Sequence, residues 1–278
     1  MTELNGTTVL VTGATSGIGK AMATELARRG ANIAVYGRNR DRLDAVTTEI
    51  RQTSGVKAIG VVCDVADRAR VYQAITEVEQ QLGPVEVLIN NAGVVSGKTL
   101  AELTDDEIET VIATNVLSLY WVTRSVLPQM IARGSGHIVT IASVAGLLGV
   151  NKQTDYAASK HAAHGFAESL RMELAAAGHT GIKTTLINPY YVATGMFKGA
   201  KTPFPRLLPI LKPDDVAHKA IAAIRRDTKE LTMPPVVRLL PALRVLPTAV
   251  FDAIVERFGV NSSMEQFVGH QPTGGDSG

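Results

Sequence analysis

Tyr156 and Lys160 stand four positions apart, the spacing that puts two side chains on one face of a helix. A free tyrosine, with a pKa of about 10, is a poor proton acceptor at neutral pH. An ammonium held close favours the phenolate and lowers that value. The pair is therefore a candidate general acid/base for interconverting an alcohol and a carbonyl. Lys160 also has a stem long enough to reach ribose hydroxyls. Ser143 follows the apolar run Ile138-Val139-Thr140-Ile141-Ala142, and its hydroxyl can hold a substrate oxygen. Asn115 falls inside a helical stretch, an unfavourable interior position for asparagine, where it can tie a water into a proton path beneath Lys160. Each residue alone has an ordinary explanation. Their order, and the motif that precedes them, gives them weight.

That motif is the turn Thr12-Gly13-Ala14-Thr15-Ser16-Gly17-Ile18-Gly19, which follows an apolar strand and opens a helix. Gly13, Gly17 and Gly19 let the backbone turn tightly and approach a pyrophosphate. The helix start, from Ser16 through Ile18, supplies unpaired N–H groups and a partial positive charge. The next strand ends Tyr36-Gly37-Arg38-Asn39. A site for NAD often carries an acidic residue here to bind the ribose hydroxyls. Glycine followed by a cation favours NADP(H) over NAD(H), because Arg38 can fork onto a 2′-phosphate, with the Ser16 hydroxyl as a helper. In Cys63-Asp64-Val65, Asp64 can accept from an adenine amino group or cap the following helix, and Cys63 reads as a small buried residue. In Asn90-Asn91-Ala92-Gly93 the small residues leave room for the adenosine ribose, while the asparagines tie backbones together.

The elements that must position these residues alternate. Apolar strand-like runs fall at 8–12, 32–36, 58–63, 85–90, 137–142 and 183–188. Amphipathic helices are predicted at 17–29, 40–52, 68–82, 105–133, 154–177 and 213–227. This α/β pattern implies a parallel sheet covered on both faces and, with right-handed crossovers, a doubly wound fold. Ligands bind such sheets beyond the carboxyl ends of the strands, where all the candidate residues lie. We expect a dinucleotide-binding and catalytic domain over residues 1–228 and an apolar C-terminal extension over 229–278, with a flexible glycine-rich end from Gly269. In the extension, prolines 234, 235, 241 and 247 interrupt an apolar stretch. A helix is predicted between Pro247 and Gly259, with Val250, Phe251, Ile254, Val255 and Phe258 as its apolar stripe.

The 278 residues carry a net charge of only +2, and the basic residues are dispersed without aromatic stacking partners, which speaks against nucleic acid as a partner. One cysteine allows no intramolecular disulfide and points to a reducing compartment. The start, Met1-Thr2-Glu3-Leu4-Asn5-Gly6, lacks the features of a signal peptide. No apolar run reaches the roughly 18 residues of a spanning helix. A cytoplasmic location follows as the expectation, with contact to a membrane surface as a variant of it. His161 and His164 lack a third ligand at convincing spacing, so no metal is expected, and no nucleophile elbow surrounds Ser143.

Taken together, the glycine turn, Asn90-Asn91-Ala92-Gly93, Asn115, Ser143 and Tyr156-Ala157-Ala158-Ser159-Lys160 resemble the short-chain dehydrogenase/reductase family over about residues 5–230. The resemblance implies one Rossmann-like domain with a seven-stranded sheet, a nicotinamide dinucleotide, and a tetrad of Asn115, Ser143, Tyr156 and Lys160. It further implies that Pro189, the Val192 backbone and Thr194 address the carboxamide. The family often has Pro-Gly after the sixth strand; here Tyr190 replaces the glycine. The stretches 91–98, 136–143 and 181–185 and the tail 262–270 are similar to the retinol and 17-beta-hydroxysteroid dehydrogenases, which implies a lipophilic alcohol or ketone as substrate. A reductase of 3-ketoacyl thioesters and a non-catalytic NADP(H)-binding sensor or structural protein are the alternatives. The apolar and small residues of the helices at 105–133 and 154–177 exceed what one sheet-facing stripe needs, and a homodimer or homotetramer is expected. Residues of about 196–260 are expected to form a greasy lid over the substrate end of the cleft, with Met196, Phe197, Pro203, Phe204, Leu207, Leu208, Ile210 and Leu211 after the sixth strand and the proline-broken segment and the helix near Pro247–Phe258 packed over or beside them; cover for the core or a subunit interface, or docking to a membrane surface, is the alternative for the tail.

Overall fold

Strands β1 (Thr8–Thr12), β2 (Asn32–Gly37), β3 (Ala58–Val62), β4 (Val87–Asn90), β5 (Gly136–Ile141), β6 (Ile182–Pro189) and β7 (Glu230–Met233) form one sheet in the computed structural model, which describes residues 1–260 and 262–269. The order is β3-β2-β1-β4-β5-β6-β7, and every pairing is parallel. Order reverses between β1 and β4, which opens a crevice at their carboxyl ends. The glycine-rich end lies outside the described residues except for Gly269, as does His270 of the tail.

The strands are buried on both faces, so side chains alternate between two cores. Val9, Val11, Ile33, Val35, Val87 and Ile89 point to the layer of α1 (Gly17–Arg28), α2 (Arg40–Ser54) and α7 (Pro213–Arg225). Leu10, Ala34, Leu88 and Ile138 point to the layer of α3 (Arg68–Leu82), α5 (Ser118–Arg133) and α6 (Thr154–Ala176). Leu10 and Leu88 are wholly buried; truncating either to alanine costs about 2–5 kcal/mol.

Local chemistry sets the ends of the helices. Asn39 caps α2 by accepting from Arg42 N, and Gly55 ends it in the left-handed conformation. Thr104 and Glu107 close a capping box on α4 (Asp105–Ile112). Asp67, not Asp64, caps α3, accepting from Arg70 N at 3.0 Å. Asp64 instead accepts from Ala66 N at 2.9 Å within the preceding turn.

Two features depart from the predicted elements. The helix expected at 105–133 is split by a π turn at Ala113–Leu117, so that it becomes α4 and α5. The Ser118 amide reaches back five residues to the Ala113 carbonyl. Such a bulge inside a helix frequently marks a functional position; Asn115 sits in it. The second departure is β7. It lies beyond residue 228, inside the segment expected to be an extension, and pairs with β6 from Leu186↔Glu230 to Pro189↔Met233. The sheet therefore runs past the expected boundary. After β7 come the short α8 (Leu240–Leu243) and α9 (Thr248–Arg257), the latter at the position predicted between Pro247 and Gly259.

Candidate active site

The crevice between β1 and β4 is stitched from both sides. Thr12 Oγ1 accepts from the amides of Asn91 and Ala92, both at 3.0 Å, and Asn91 Nδ2 donates to Thr12 O at 2.9 Å. This brings the chain ends so close that a Cβ on Gly13 would stand 2.8 Å from Ala92 Cα, and one on Gly19 would stand 2.4 Å from Asn91 Nδ2. Ser16 precedes α1 in extended conformation and makes no side-chain cap, so the first-turn amides stay available to an anion. The cleft continues past Gly37, Arg38, Asp64 and Val65 at one end and past Gly93, Pro189, Val192 and Thr194 toward Tyr156 at the other. Gly17 packs beside Thr194, which would lie 3.1 Å from a Cβ there. A glycine cradle that a Cβ would fill, an uncapped helix start and an exposed arginine beyond β2 together fit a nicotinamide dinucleotide.

Of the residues expected to hold a cofactor, all but Gly19 line this cleft; Gly19 lies beneath the turn. Asn115 stands behind the lining as well. Arg42, one turn into α2, also faces the cleft and was not among the expected residues. Its signal is the alternation Arg38, Arg40, Arg42, obscured by its place inside a helix. Cys63 borders the same end, and burial pushes its thiol up to about 12, so it is not a nucleophile at neutral pH.

Tyr156 and Lys160 lie on the first turns of α6 and are each only 5% exposed. Burial pushes the Tyr156 phenol well above its ordinary value; a hydrogen bond with Ser143 works against this rise and the neighbouring Tyr191 adds to it. Burial also brings the Lys160 ammonium down to about 8. Burial thus outweighs the pull of the Lys160 charge on the Tyr156 proton, although the ammonium stands 5.5 Å from the ring centre. Both groups lose hydration, and the Lys160 ammonium donates to Ile141 O at 3.1 Å rather than to the phenol.

Asn115 is fully engaged through its side chain. Oδ1 accepts from Val94 N at 2.8 Å, and Nδ2 donates to Val94 O at 2.9 Å and to Ser159 Oγ at 3.0 Å. Ser159 in turn donates to Tyr156 O at 2.7 Å. Asn115 thus locks the loop after β4 onto α6. Both amide hydrogens of the side chain are committed, so Asn115 Nδ2 cannot donate to a water on a proton path beneath Lys160. Ser143 is extended, with Oγ accepting from Ala145 N at 3.1 Å.

At the mouth, Phe197 meets the Tyr156 ring edge-on, with centroids 5.5 Å apart, and meets Tyr191 at 5.2 Å. Tyr190, in place of the common glycine, stacks edge-on against Tyr191 at 4.7 Å and lines the cleft. Of the eight residues expected to form a lid, only Met196 and Phe197 line the cleft. Leu208 turns to a separate cluster with Val144, Leu148, Val237 and Val255. Leu211 packs on the main core and pairs with Val192, and Phe204 meets Phe258 edge-on at 5.6 Å. His161 bonds Ala157 O, while His164 packs beside Gly146. Among the described residues no helix is long and apolar enough to cross a membrane.

Residues 7–203 match the family of short chain dehydrogenases. The chain is 39% identical to epidermal retinol dehydrogenase 2 of Mus musculus, over 96% of this chain and 86% of that protein. It is 35% identical to 17-beta-hydroxysteroid dehydrogenase 13 of Homo sapiens, over 96% and 87% respectively. Among solved structures, a short-chain dehydrogenase/reductase from Burkholderia phymatum in complex with NAD superposes with a TM-score of 0.80 at 29% identity, covering 88% of this chain and 95% of that one. An actinorhodin polyketide ketoreductase with NADPH reaches 0.74 at 33% identity, covering 84% and 97%. The two structures carry different nicotinamide dinucleotides, so the shared fold alone does not select between them. The retinol and 17-beta-hydroxysteroid dehydrogenases are the relatives that the sequence motifs resemble. With motifs, sheet order and near-full-length relatives in agreement, the chain belongs to the short-chain dehydrogenase/reductase family of oxidoreductases, which use nicotinamide cofactors.

Proposed function

We propose that the protein transfers a hydride between NADP(H) and a lipophilic alcohol or ketone of retinoid or steroid character, with Tyr156 as general acid/base. The observation that carries this reading is that Ser143, Tyr156 and Lys160 line the inner end of one cleft, with Tyr156 and Lys160 buried there on one face of α6 beside an aromatic wall. A bound dihydronicotinamide supplies the hydride. Ser143 holds the carbonyl oxygen, and Tyr156, kept as a phenol by burial, gives that oxygen its proton. Lys160, positive below about pH 8, favours the phenolate left behind. Its hydrogen bond to Ile141 O leaves two further N–H groups for ribose hydroxyls. In the reverse direction the phenolate form of Tyr156 accepts the alcohol proton.

Arg38 and Arg42 favour NADP(H), since both face the cleft beyond β2 where an NAD site would carry a carboxylate. The aromatic rings around Tyr156 favour a substrate with an apolar body. Leu239, Val245 and Val250 are exposed beside Arg238 and Arg244, which supports shallow contact with a membrane surface. The test is a panel of alcohols and carbonyls followed through NADPH absorbance. Retinaldehyde and steroid ketones should turn over faster than N-acetylcysteamine ketoacyl thioesters. Cofactor binding without turnover of any compound would overturn the proposal in favour of a non-catalytic role.

A further inference from the structure

Beyond α9 the chain returns to the loops that flank the cleft, and residues 262–268 bridge them. On one side Phe267 packs against Gly97 in the loop after β4, so closely that a Cβ there would stand 2.0 Å from its ring. On the other side Val268 N donates to Lys198 O at 2.9 Å and Lys201 N donates to Ser263 O at 3.0 Å. Gly199 is pressed onto Gln266, whose carbonyl would lie 2.0 Å from a Cβ. Between the two sides stands Phe197, 6.4 Å from the Phe267 ring and 5.5 Å from the Tyr156 ring. Met264, in the middle of the segment, is wholly buried with Tyr191 and Ala200.

Two polar ties connect this strap to the start of the catalytic helix. Ser263 Oγ lies 2.8 Å from Tyr191 OH, which accepts from Gln153 Nε2 at 3.3 Å; all three residues are buried. Gln153 immediately precedes α6. On the far side Ser96, next to Gly97, donates to the Asp155 carboxylate, whose other oxygen accepts from Tyr156 N at 2.7 Å. The strap thus spans both walls of the cleft, and each wall is tied to a residue within three positions of Tyr156. Ser263 Oγ donates to Val260 O at 2.6 Å, so the hydroxyls of the Tyr191 node are satisfied within the fold, and Phe197, the ring of this wall that lines the cleft, offers a ligand apolar surface.

We propose that residues 262–268 are a positioning strap that fixes the Phe197–Tyr191 wall over Tyr156 and thereby sets selectivity for elongated apolar substrates, with Phe267 as its key side chain. This rests on the oxidoreductase reading above. In Phe267→Ala, the ratio of kcat/KM for a steroid ketone to that for cyclohexanone should fall about tenfold, the scale on which small apolar contacts discriminate substrates, and the fall should appear in KM. Phe267→Leu should restore most of the ratio, and Ser263→Ala, which unties Tyr191, should lower it. An unchanged ratio in both Phe267→Ala and Ser263→Ala overturns the proposal. Hydrogen exchange supplies a readout that needs no turnover. Exchange in Phe267→Ala should quicken at both 94–98 and 195–200, and acceleration at only one of them, or at neither, overturns the bridging role. If the wild type reduces no carbonyl compound, the oxidoreductase reading falls, and the exchange pattern still decides whether the strap joins the two walls.

Discussion

The Lys160 ammonium lies 5.5 Å from the centre of the Tyr156 ring, yet its hydrogen bond goes to the Ile141 carbonyl on β5. The lysine is thereby anchored to the sheet while its charge stays beneath the tyrosine. With both groups buried, the pair rests as phenol and ammonium at neutral pH, the state suited to donating a proton to a carbonyl oxygen.

Removing only the phenolic oxygen should therefore remove the proton step. Tyr156→Phe should lower kcat by about 10²–10⁴-fold and leave the cofactor Kd nearly unchanged. Lys160→Ala should be comparably slow and should also weaken cofactor binding. For wild-type reduction, activity should decline as pH rises through about 8, where Lys160 loses its proton. Steady-state kinetics and fluorescence titration check all three. A Tyr156→Phe enzyme with near-normal kcat would sink the assignment.

Arg38 should discriminate between cofactors. Losing its charge-assisted contact should cost about 1.5–3 kcal/mol, or tenfold and more in NADPH affinity, with NADH little affected. Calorimetric titration of Arg38→Ala with both cofactors measures this. Equal wild-type affinities for NADPH and NADH would contradict it. Arg42→Ala should weaken NADPH in the same direction.

His137 predicts how stability depends on pH. It is wholly buried, with its two ring nitrogens 2.8 Å from Thr2 Oγ1 and Thr185 Oγ1. Burial brings the imidazole down to about 4 from its ordinary 6.5. Between these values the unfolded chain binds the proton and the folded chain does not. Stability is therefore full above pH 6.5 and falls as pH drops toward 4, by about 3 kcal/mol in all. Urea unfolding at pH 7 and pH 5 should show the loss, and His137→Gln should flatten it. A variant that keeps the wild-type pH slope would exclude His137 as the source.

An apolar face on adjacent helices should drive self-association. Leu117 and Tyr120 are 41% and 46% exposed near the start of α5, and Met172 on α6 is 63% exposed. Tyr120 meets Phe166 edge-on at 4.9 Å, which joins the two helices into one surface. We expect a two-fold symmetric dimer or tetramer, with Tyr120→Glu shifting it toward monomer. Sedimentation showing only monomer for the wild type at micromolar concentration would reject this.

Where short-range physics decides, the residues could be read directly from the chain. The alternating apolar runs became six of the strands within two residues at each end. The glycines at 13, 17 and 19, the offset from Tyr156 to Lys160 and Ser143 after β5 identified the floor of the site, because turn geometry and helical periodicity depend only on neighbours. The features that escaped depend on contacts between remote segments. Glu230-Leu231-Thr232-Met233 is too short and too polar to announce a strand and becomes β7 because β6 offers it an open edge. The π turn at Asn115 has no breaker in its sequence; it coincides with the hold of that side chain on Val94, 21 residues away. The proton affinities of Tyr156 and Lys160 follow from how deeply the fold buries them, and helical spacing carries no information about burial. Phe267 and Gly97 lie far apart in the chain, and only the closed tertiary structure brings the tail against the loop after β4.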